Sequence, residues 1–198
     1  MALLPALALK GADAGAVLDR LDLSRPGLEK VAEYHKQGND SLASVALLDY
    51  FKNRTGVKSV GVNAQKPRLT KEERRWADEG MEHKFFVHKG YQPSYFYGDD
   101  INWQYWPVKD NELRWQLHRT KWWVPMGKAY RVTGDEKYAA EWIHQYRDWV
   151  KKNPLTEFSG IKDKNMENVD NVYFAWRPLE VCDRLEHQIE QFELFLPS

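Results

Sequence analysis

Apolar residues along most of this chain recur with the period of an α-helix rather than with the alternation of a half-buried strand. They do so between residues 24 and 38 and again from 39 to 52, where Ser24 and then Asn39 are suitable start signals. Thr70 followed by Glu73 has the capping-box pattern, which predicts a charged helix from residue 70 to about residue 84. The first half of the chain is therefore predicted to be helical.

The second half carries longer and more aromatic helical patterns. One helix is predicted from Asp110 to about Tyr130, and a second is capped by Asp135 and stops before Pro154. A last helix is predicted from about residue 172 to 191. The apolar stripes predicted to face inward are Trp115, Trp122, Met126 and Tyr130 in the first, Tyr138, Trp142, Tyr146 and Trp149 in the second, and Leu179, Cys182, Leu185 and Ile189 in the third.

Segments rich in polar residues, Gly and Pro separate these helices. Residues 53–69 and 154–171 are predicted to be loops, and residues 85–110 a long ordered loop of the kind that often carries function. No pattern in the chain predicts a β-hairpin. The fold class is therefore all-α, with about six helices in antiparallel pairs.

Composition narrows the classes of function. The 29 basic and 29 acidic residues cancel, so any anionic ligand has to be held by a local patch, and nucleic-acid binding is not expected. The start, MALLPALALK, is too short to span a membrane and lacks the layout of a signal peptide, so we expect a mature or engineered N-terminus whose signal is absent or already removed. The single cysteine, Cys182, excludes an internal disulfide and is predicted to lie in the core.

No cofactor site is predicted. The six histidines show no HExxH pattern and no short-range pairing with carboxylates on one helix face, so no metal ion is expected in this chain. The nucleotide-binding patterns GxGxxG and GxxxxGK[ST] are absent from the sequence.

Five of the nine tryptophans lie in the stretch INWQYWPVKDNELRWQLHRTKWW, residues 101–123. Trp115 and Trp122 are predicted to pack helix against helix. For Trp103, Trp106 and Trp123 the pattern leaves two interpretations open, which are core packing and a platform for a sugar ring. An exposed indole face suits a sugar, because the axial C–H groups of the ring are weakly positive.

Charge adds to this interpretation. Between residues 109 and 131 there are six basic residues and only two acidic ones. Lys128 and Arg131 are predicted to lie on a solvated face. Arg119 lies on the aromatic stripe, where a guanidinium needs either an internal carboxylate such as Glu112 or Glu180, or an anionic ligand.

Aromatic rings, guanidinium groups and amides together indicate an acidic carbohydrate as the best-matched ligand. The motif WRPLE at residues 176–180 repeats the combination of indole, guanidinium and carboxylate. The candidate substrate-binding residues are Asn102, Trp103, Gln104, Trp106, Arg119, Trp123, Trp176 and Arg177.

Three long blocks resemble a known family. DINWQYWPVKDNELRWQLHRTKWW, AYRVTGDEKYAAEWIHQYRDWVKKNPL and FAWRPLEVCDRL are similar, in order and spacing, to the N-terminal helical domain of heparinase III-type heparan-sulfate lyases, of the heparinase II/III polysaccharide lyase family. The resemblance implies that residues 1–198 are the N-terminal portion of an (α/α) toroid lyase domain, with the remaining helices and a C-terminal β-sandwich absent from this chain.

The resemblance also implies an activity. These lyases cleave the uronate-containing polymer by β-elimination, in which the uronate carboxylate is neutralised, a base removes the C5 proton and an acid protonates the leaving oxygen. The Asn, Tyr and His residues that act in the family belong to later segments, so the chain is expected to hold no catalytic residue, to supply part of the cleft and to be inactive alone. A heparan-sulfate substrate, a periplasmic location, no membrane contact and a full-length monomer follow as expectations, and a metal in the full enzyme is left open.

Two other classes of function remain open. A complete, noncatalytic acidic-glycan-binding domain would account for the aromatic and basic residues. A helical-repeat interaction module is suggested by WWVPMGKAYRVTGDEKYA, which resembles a tetratricopeptide unit, although no second copy follows at the period of about 34 residues.

Overall fold

A computed structural model describes residues 14–55, 61–157 and 171–198 of the chain. Contacts divide the chain into two compact units, Met1–Val57 and Lys58–Ser198. Nine α-helices and one pair of short strands make up the regular structure of the described residues, so the predicted helical fold class is confirmed. The apolar start and parts of the predicted loops 53–69 and 154–171 lie outside those residues.

The first unit contains three of the helices. They are α1 (Ala14–Leu18), α2 (Glu29–Lys36) and α3 (Asp40–Asn53). The Asn39 side chain accepts a hydrogen bond from the Leu42 amide at 3.2 Å, which caps α3 as the sequence predicted. The core of this unit consists of Leu18, Leu28, Val31 and Ala43.

The second unit contains the other elements. They are α4 (Lys71–Met81), β1 (Lys84–Phe85), β2 (Tyr95–Phe96), α5 (Asn111–Leu117), α6 (Trp123–Thr133), α7 (Lys137–Lys152), α8 (Val172–Ala175) and α9 (Pro178–Phe195). The capping box at the start of α4 is present, with Glu73 N to Thr70 Oγ1 at 3.1 Å and Thr70 N to Glu73 Oε2 at 2.8 Å.

Two glycines allow α6 to approach its neighbours closely. A Cβ atom on Gly80 of α4 would lie 3.1 Å from both Met126 Sδ and Trp122 Cδ1. A Cβ atom on Gly127 of α6 would lie 2.8 Å from Leu194 Cβ in α9. Helix α6 is therefore packed between α4 and α9, with little room for larger side chains at either crossing.

The prediction that the chain has no β-hairpin is wrong in detail. Strands β1 and β2 pair antiparallel, with Lys84 opposite Phe96 and Phe85 opposite Tyr95. A pair of two-residue strands produces no alternation that the sequence could show. Phe85 is fully buried and stacks on Trp122 at a centroid distance of 4.2 Å, so this pairing brings the segment 85–110 onto the core.

The single helix predicted from Asp110 to Tyr130 is two helices. Asp110 caps α5, but α5 ends at Leu117 and α6 begins at Trp123. Thr120, between them, has a φ of 52°, which no helix interior accommodates. The apolar spacing of the two pieces happens to stay in phase across this break, which is why the sequence predicted continuity.

The inward face predicted for the last helix is also wrong. Leu179, Leu185 and Ile189 are 57%, 52% and 57% exposed, and Cys182 is exposed as well. The residues that α9 buries are mostly polar, namely Glu180, Arg184, Gln191, Glu193, Leu194 and Phe195. Among the described helices, none is both long and apolar enough to cross a membrane.

Candidate functional site

Two of the predicted platform residues are core residues. Trp103 is 2% exposed, and its indole N–H donates to Asp148 Oδ2 at 2.7 Å. Trp123 is 0% exposed, and its N–H donates to Gln145 Oε1 at 2.7 Å. Because neither ring presents a face to solvent, the prediction that they stack on a sugar is wrong for this structure, and the core-packing interpretation holds for both.

Two other predicted site residues, Trp106 and Arg177, lie at the ends of a line of rings and guanidinium groups that we call the arginine–aromatic stack. The Arg114 guanidinium lies 5.3 Å from the Trp106 ring and 3.6 Å from the Phe174 ring. The Phe174 and Trp115 ring centroids are 6.0 Å apart. The Arg177 guanidinium lies 3.9 Å from the Trp115 ring. The stack therefore consists of Trp106, Arg114, Phe174, Trp115 and Arg177, from the loop before α5, from α5, from α8 and from the residue that precedes α9.

A fully buried carboxylate fixes one end of the stack. Arg177 donates to Glu180 from Nε at 2.5 Å and from its terminal nitrogen at 2.7 Å, and Arg119 donates to the same carboxylate at 2.9 Å. Burial alone would raise the pKa of Glu180, but the hydrogen bonds and charges of Arg177 and Arg119 outweigh it and lower that pKa. Of the alternatives left open for Arg119, the structure contains the internal ion pair.

The remaining charges around Arg119 are also paired. Asp183 lies 3.2 Å from Arg119 Nε and 3.9 Å from Lys121 Nζ, and Glu112 lies 3.7 Å from Arg119. Three cations therefore face three carboxylates here, when Arg177 and Glu180 are counted with them. The excess of positive charge in the sequence is locally cancelled.

Lys128 and Arg131, which were predicted to be solvated, also have internal hydrogen-bond partners. Lys128 Nζ donates to Glu73 Oε1 at 2.5 Å, and both side chains are mostly buried. Arg131 donates to the carbonyl oxygen of Ala64. Their prediction as a solvated face is wrong, because partners distant in sequence reach them.

The amides at the start of the tryptophan-rich stretch are exposed. Asn102 and Gln104 lie on one turn, where Asn102 Oδ1 accepts from the Gln104 backbone N–H at 3.0 Å. The adjacent Trp106 is half-buried, and its indole N–H donates to the Asp110 carbonyl at 3.0 Å. This turn and the outer edge of the arginine–aromatic stack are the parts of the predicted site that a ligand can reach.

Trp176 lies next to the stack and has internal partners. Its N–H donates to the Asn153 carbonyl at 2.9 Å, and its ring lies 5.1 Å from the Arg184 guanidinium. Arg184 also covers the Trp149 ring at 4.4 Å and donates to the carbonyl of His118 at 2.9 Å. His118 is fully buried, and burial together with the nearby Arg184 charge lowers its pKa to about 3. His118 is therefore a neutral core residue.

One group of side chains among the described residues could hold a metal ion. His83, Glu141 and His144 each place a ligand atom within 4.8 Å of the others. Glu141 and His144 are three residues apart on α7, so the expectation that no histidine pairs with a carboxylate on one helix face is wrong. His83 is 58 positions away from Glu141, and a search for short-range spacing could not find it.

The sequence also missed two residues that organise this region. Gln145 accepts hydrogen bonds from both Trp122 and Trp123, and Arg114 is the central cation of the arginine–aromatic stack. The sequence did contain a signal for Gln145, which is a polar residue on the apolar stripe of α7. Arg114 was counted among the basic residues but not as a ring partner, because Phe174, the ring it lies closest to, is 60 positions away along the chain.

Comparison with known proteins identifies the family and several relatives of this chain. The sequence model of the family described as Heparinase II/III N-terminus matches residues 17–198. A heparin-sulfate lyase of Bacteroides stercoris is 57% identical over 188 residues, which are 92% of this chain and 28% of that protein. A heparin-sulfate lyase of Pedobacter heparinus is 47% identical over 187 residues, which are 91% of this chain and 27% of that protein.

Solved structures show the same fold. A heparinase III with methylated lysines superposes with a TM-score of 0.83 at 60% identity, covering 93% of this chain and 29% of that chain. The crystal structure of heparan sulfate lyase HepC from Pedobacter heparinus superposes with a TM-score of 0.78 at 44% identity, covering 28% of that chain. The chain thus spans less than a third of the length of the proteins it resembles.

Proposed function

This chain belongs to the heparinase II/III N-terminal family, and from that premise we propose that it is the first part of the helical domain of a heparan-sulfate lyase. The whole protein would cleave a uronate-containing glycosaminoglycan by β-elimination and leave an unsaturated uronate end. The observation that carries the proposal is 57% identity to a heparin-sulfate lyase over 92% of this chain.

The exposed apolar face of α9 supports a larger helical domain around this chain. A soluble protein rarely exposes a contiguous apolar stripe on a long helix unless another surface covers it. Leu179, Leu185 and Ile189 are each more than half exposed on a helix that is otherwise firmly packed. Further helices of an (α/α) toroid, of which this chain would be an incomplete part, are the surface that we expect to cover them.

In this proposal the chain contributes binding and not chemistry. The exposed amides of Asn102 and Gln104 and the outer edge of the arginine–aromatic stack would contact the polymer. Because the charges around Arg119 are paired internally, these contacts would be mostly hydrogen bonds and ring stacking, and the chain alone would bind weakly.

The location and partners follow from the same proposal. A lyase of polymeric heparan sulfate has to meet its substrate outside the cytoplasm, so we infer a periplasmic or secreted enzyme that works as a monomer, without nucleic acid or a membrane as a partner. Metal dependence of the whole enzyme is left open by this proposal.

The ultraviolet absorbance of the unsaturated uronate product tests the activity. We expect the absorbance to rise when heparan sulfate is incubated with the whole protein, and to stay flat with residues 1–198 alone. A sustained rise with the isolated chain would overturn its assignment as a noncatalytic part. Salt-sensitive binding of heparan sulfate by a protein that never produces the chromophore would support the glycan-binding alternative instead.

Substitution of the exposed amides tests whether their turn forms part of the substrate-binding cleft. Asn102→Ala with Gln104→Ala removes side chains that make few internal contacts, so KM should rise about threefold to tenfold while kcat is kept, as expected for the loss of one or two hydrogen bonds made equally in ground and transition states. Gln92→Ala, which removes another exposed amide, is the matched control and should leave both constants unchanged. Equal kinetics for the double variant and the control would remove this turn from the cleft.

A further inference from the structure

We propose that His83, Glu141 and His144 form a binding site for a zinc ion. The site joins the turn after α4 to one face of α7. Two imidazoles and one carboxylate are a common protein ligand set for Zn²⁺, and a fourth coordination position would be left to water. Nothing in the proposed lyase chemistry uses these residues, so the inference does not depend on it.

The spacing of the ligand atoms suits a small divalent ion. His83 Nε2 lies 3.1 Å from Glu141 Oε1. Two ligand atoms of a tetrahedral zinc site are separated by about 3.3 Å, when each metal–ligand distance is about 2.0 to 2.1 Å. The His144 ring stacks on His83 with a centroid distance of 6.2 Å, and all the ligand atoms lie within 4.8 Å. Because His144 is exposed, a change of its side-chain rotamer can bring its ligand nitrogen closer to the ligand atoms of His83 and Glu141.

The backbone and the tautomer of His83 are fixed as in a metal ligand. His83 has a φ of 54°, an uncommon conformation for a residue other than glycine. Its Nδ1 lies 2.7 Å from the Gly98 carbonyl oxygen, which can only accept, so Nδ1 carries a proton. Ligating histidines characteristically donate their second ring nitrogen to a carbonyl or carboxylate in this way.

This hydrogen bond makes a cation necessary between His83 and Glu141. With the proton on Nδ1, the neutral ring turns the lone pair of Nε2 toward a carboxylate oxygen at 3.1 Å, and the two would repel each other. The repulsion is removed either by a second proton on the ring or by a metal ion.

Glu141 is itself oriented by its neighbours. Gln145 Nε2 donates to Glu141 Oε1 at 2.9 Å and to the Gly80 carbonyl at 2.8 Å. The carboxylate oxygen that faces His83 is therefore also held in place by Gln145 and needs little reorganisation to bind an ion. When Zn²⁺ binds, it takes the lone pair of His83 Nε2.

Titration calorimetry with zinc chloride tests the proposal on the full chain. We expect one Zn²⁺ ion in this site. His144→Ala removes an exposed ligand and should weaken Zn²⁺ binding at least tenfold. The visible absorption of Co²⁺ at the same site, with the intensity of a tetrahedral complex, should be lost in the same variant.

A second variant and a matched control keep the test decisive. His83→Asn retains a residue type that tolerates positive φ, so it removes the ligand with little backbone strain and should also weaken binding at least tenfold. His35→Ala is the control, because His35 is another histidine beside carboxylates, with Asp40 at 2.7 Å and Asp19 at 3.0 Å. These two carboxylates face different nitrogens of the His35 ring, so they do not converge with one ring nitrogen on a single ion. Zn²⁺ affinity that is lost in the control and retained in both cluster variants, or no binding to the full chain, would overturn the proposal.

Discussion

At the scale of single residues, Gln145 satisfies an unusual number of buried polar groups. Its side-chain oxygen accepts from the indole N–H groups of Trp122 and Trp123 at 2.9 and 2.7 Å. Its side-chain nitrogen donates to the Gly80 carbonyl and to Glu141. One amide therefore satisfies two tryptophans, the end of α4 and one carboxylate, and this makes an aromatic core with two adjacent buried indoles possible.

Gln145→Leu should accordingly be costly. The substitution keeps the size and the apolar contacts but leaves two buried indole N–H groups without an acceptor, at about 1 to 3 kcal/mol for each unsatisfied group. We expect the free energy of unfolding, measured with urea, to fall by at least about 2 kcal/mol. Gln92→Leu, at an exposed position, is the control and should change it by less than about 0.5 kcal/mol. A loss in Gln145→Leu no greater than in the control would show that water replaces the amide.

Glu180 has a comparable role among the charged residues, and its role depends on pH. Its pKa is lowered below the usual 4.5 because the pairing with Arg177 and Arg119 outweighs the effect of burial. A carboxyl group with a lowered pKa binds fewer protons in the folded state than in the unfolded state. The stability that it contributes is therefore present above the pKa of the unfolded chain and is lost as the pH falls through the pKa of the folded one.

Glu180→Gln tests this linkage. At neutral pH the variant leaves two partly buried guanidinium groups without their shared anion, and we expect a loss of about 3 to 5 kcal/mol in the free energy of unfolding. Below pH 4.5, the usual pKa of this group, the difference from the parent chain should shrink, because the parent then loses the same charge. Glu186→Gln, at an exposed position of α9, should run parallel to the parent at every pH. A difference for Glu180→Gln that stays constant down to the acid transition would contradict the linkage.

At the scale of elements, the close crossing of α6 and α9 depends on Gly127. A Cβ atom at this position would lie 2.8 Å from Leu194 Cβ and 2.9 Å from Leu194 Cδ1, which is closer than side chains pack. A glycine-to-alanine change inside a helix normally stabilises it by up to about 1 kcal/mol, so the sign of the effect here is informative.

Gly127→Ala should destabilise the chain by about 1 to 3 kcal/mol, as expected for overpacking of a tight helix crossing. Leu194→Ala removes the Cδ1 contact at 2.9 Å but keeps the Cβ contact at 2.8 Å. The double variant Gly127→Ala with Leu194→Ala should therefore lose less stability than the sum of the two single variants, by the part of the clash that Cδ1 causes. Thermal unfolding of the four chains measures this coupling. Additive losses would show that the two helices separate slightly without resisting the new methyl group.

The elements that sequence reasoning located correctly are those whose signals are local. The capping box of Thr70 and Glu73 and the cap at Asn39 lie where they were predicted, because capping depends on residues three positions apart. The break between α5 and α6 was missed because threonine rarely adopts a positive φ, so Thr120 gave no local signal of a break. Apolar periodicity records which residues share a face, and it continues through such a break when the two helices stay in phase.

The candidate site was predictable to a smaller extent. The sequence indicated correctly that Arg119 and Glu180 could pair, because both belong to motifs that combine guanidinium, indole and carboxylate groups. It placed Trp103 and Trp123 near a ligand, whereas Asp148 and Gln145 satisfy their N–H groups inside the core. Partners separated by 22 to 45 positions decide whether an indole is buried, and a single sequence does not give such contacts.

At the scale of the whole molecule, α9 buries mostly polar side chains and exposes apolar ones, which is the reverse of the usual amphipathic helix. Its buried face holds Glu180, Arg184 and Gln191, and its exposed face holds leucine and isoleucine. The buried polar groups have partners in α7, in α8 and in the segment between α5 and α6, so this face cannot be turned outward without breaking those bonds. In the proposed larger helical domain, the exposed apolar stripe would contact a second surface, and the length of the related lyases leaves room for several further helices.

Leu185→Lys combined with Ile189→Lys tests whether that second surface belongs to the same protein. In residues 1–198 alone both positions face solvent, so the change should alter the free energy of unfolding by less than about 0.5 kcal/mol for each position. In the whole protein the same positions would be covered, and each substitution would forfeit about 1.5 to 3 kcal/mol of apolar burial and place an ammonium group in the contact. We therefore expect a marked fall in thermal stability and in lyase activity only in the longer protein. Val150→Lys, at an exposed apolar position of α7, is the matched control and should be neutral in both. If the paired substitution is equally neutral in the whole protein, the stripe of α9 is not covered by further helices, and the proposal of a larger helical domain packed against it fails.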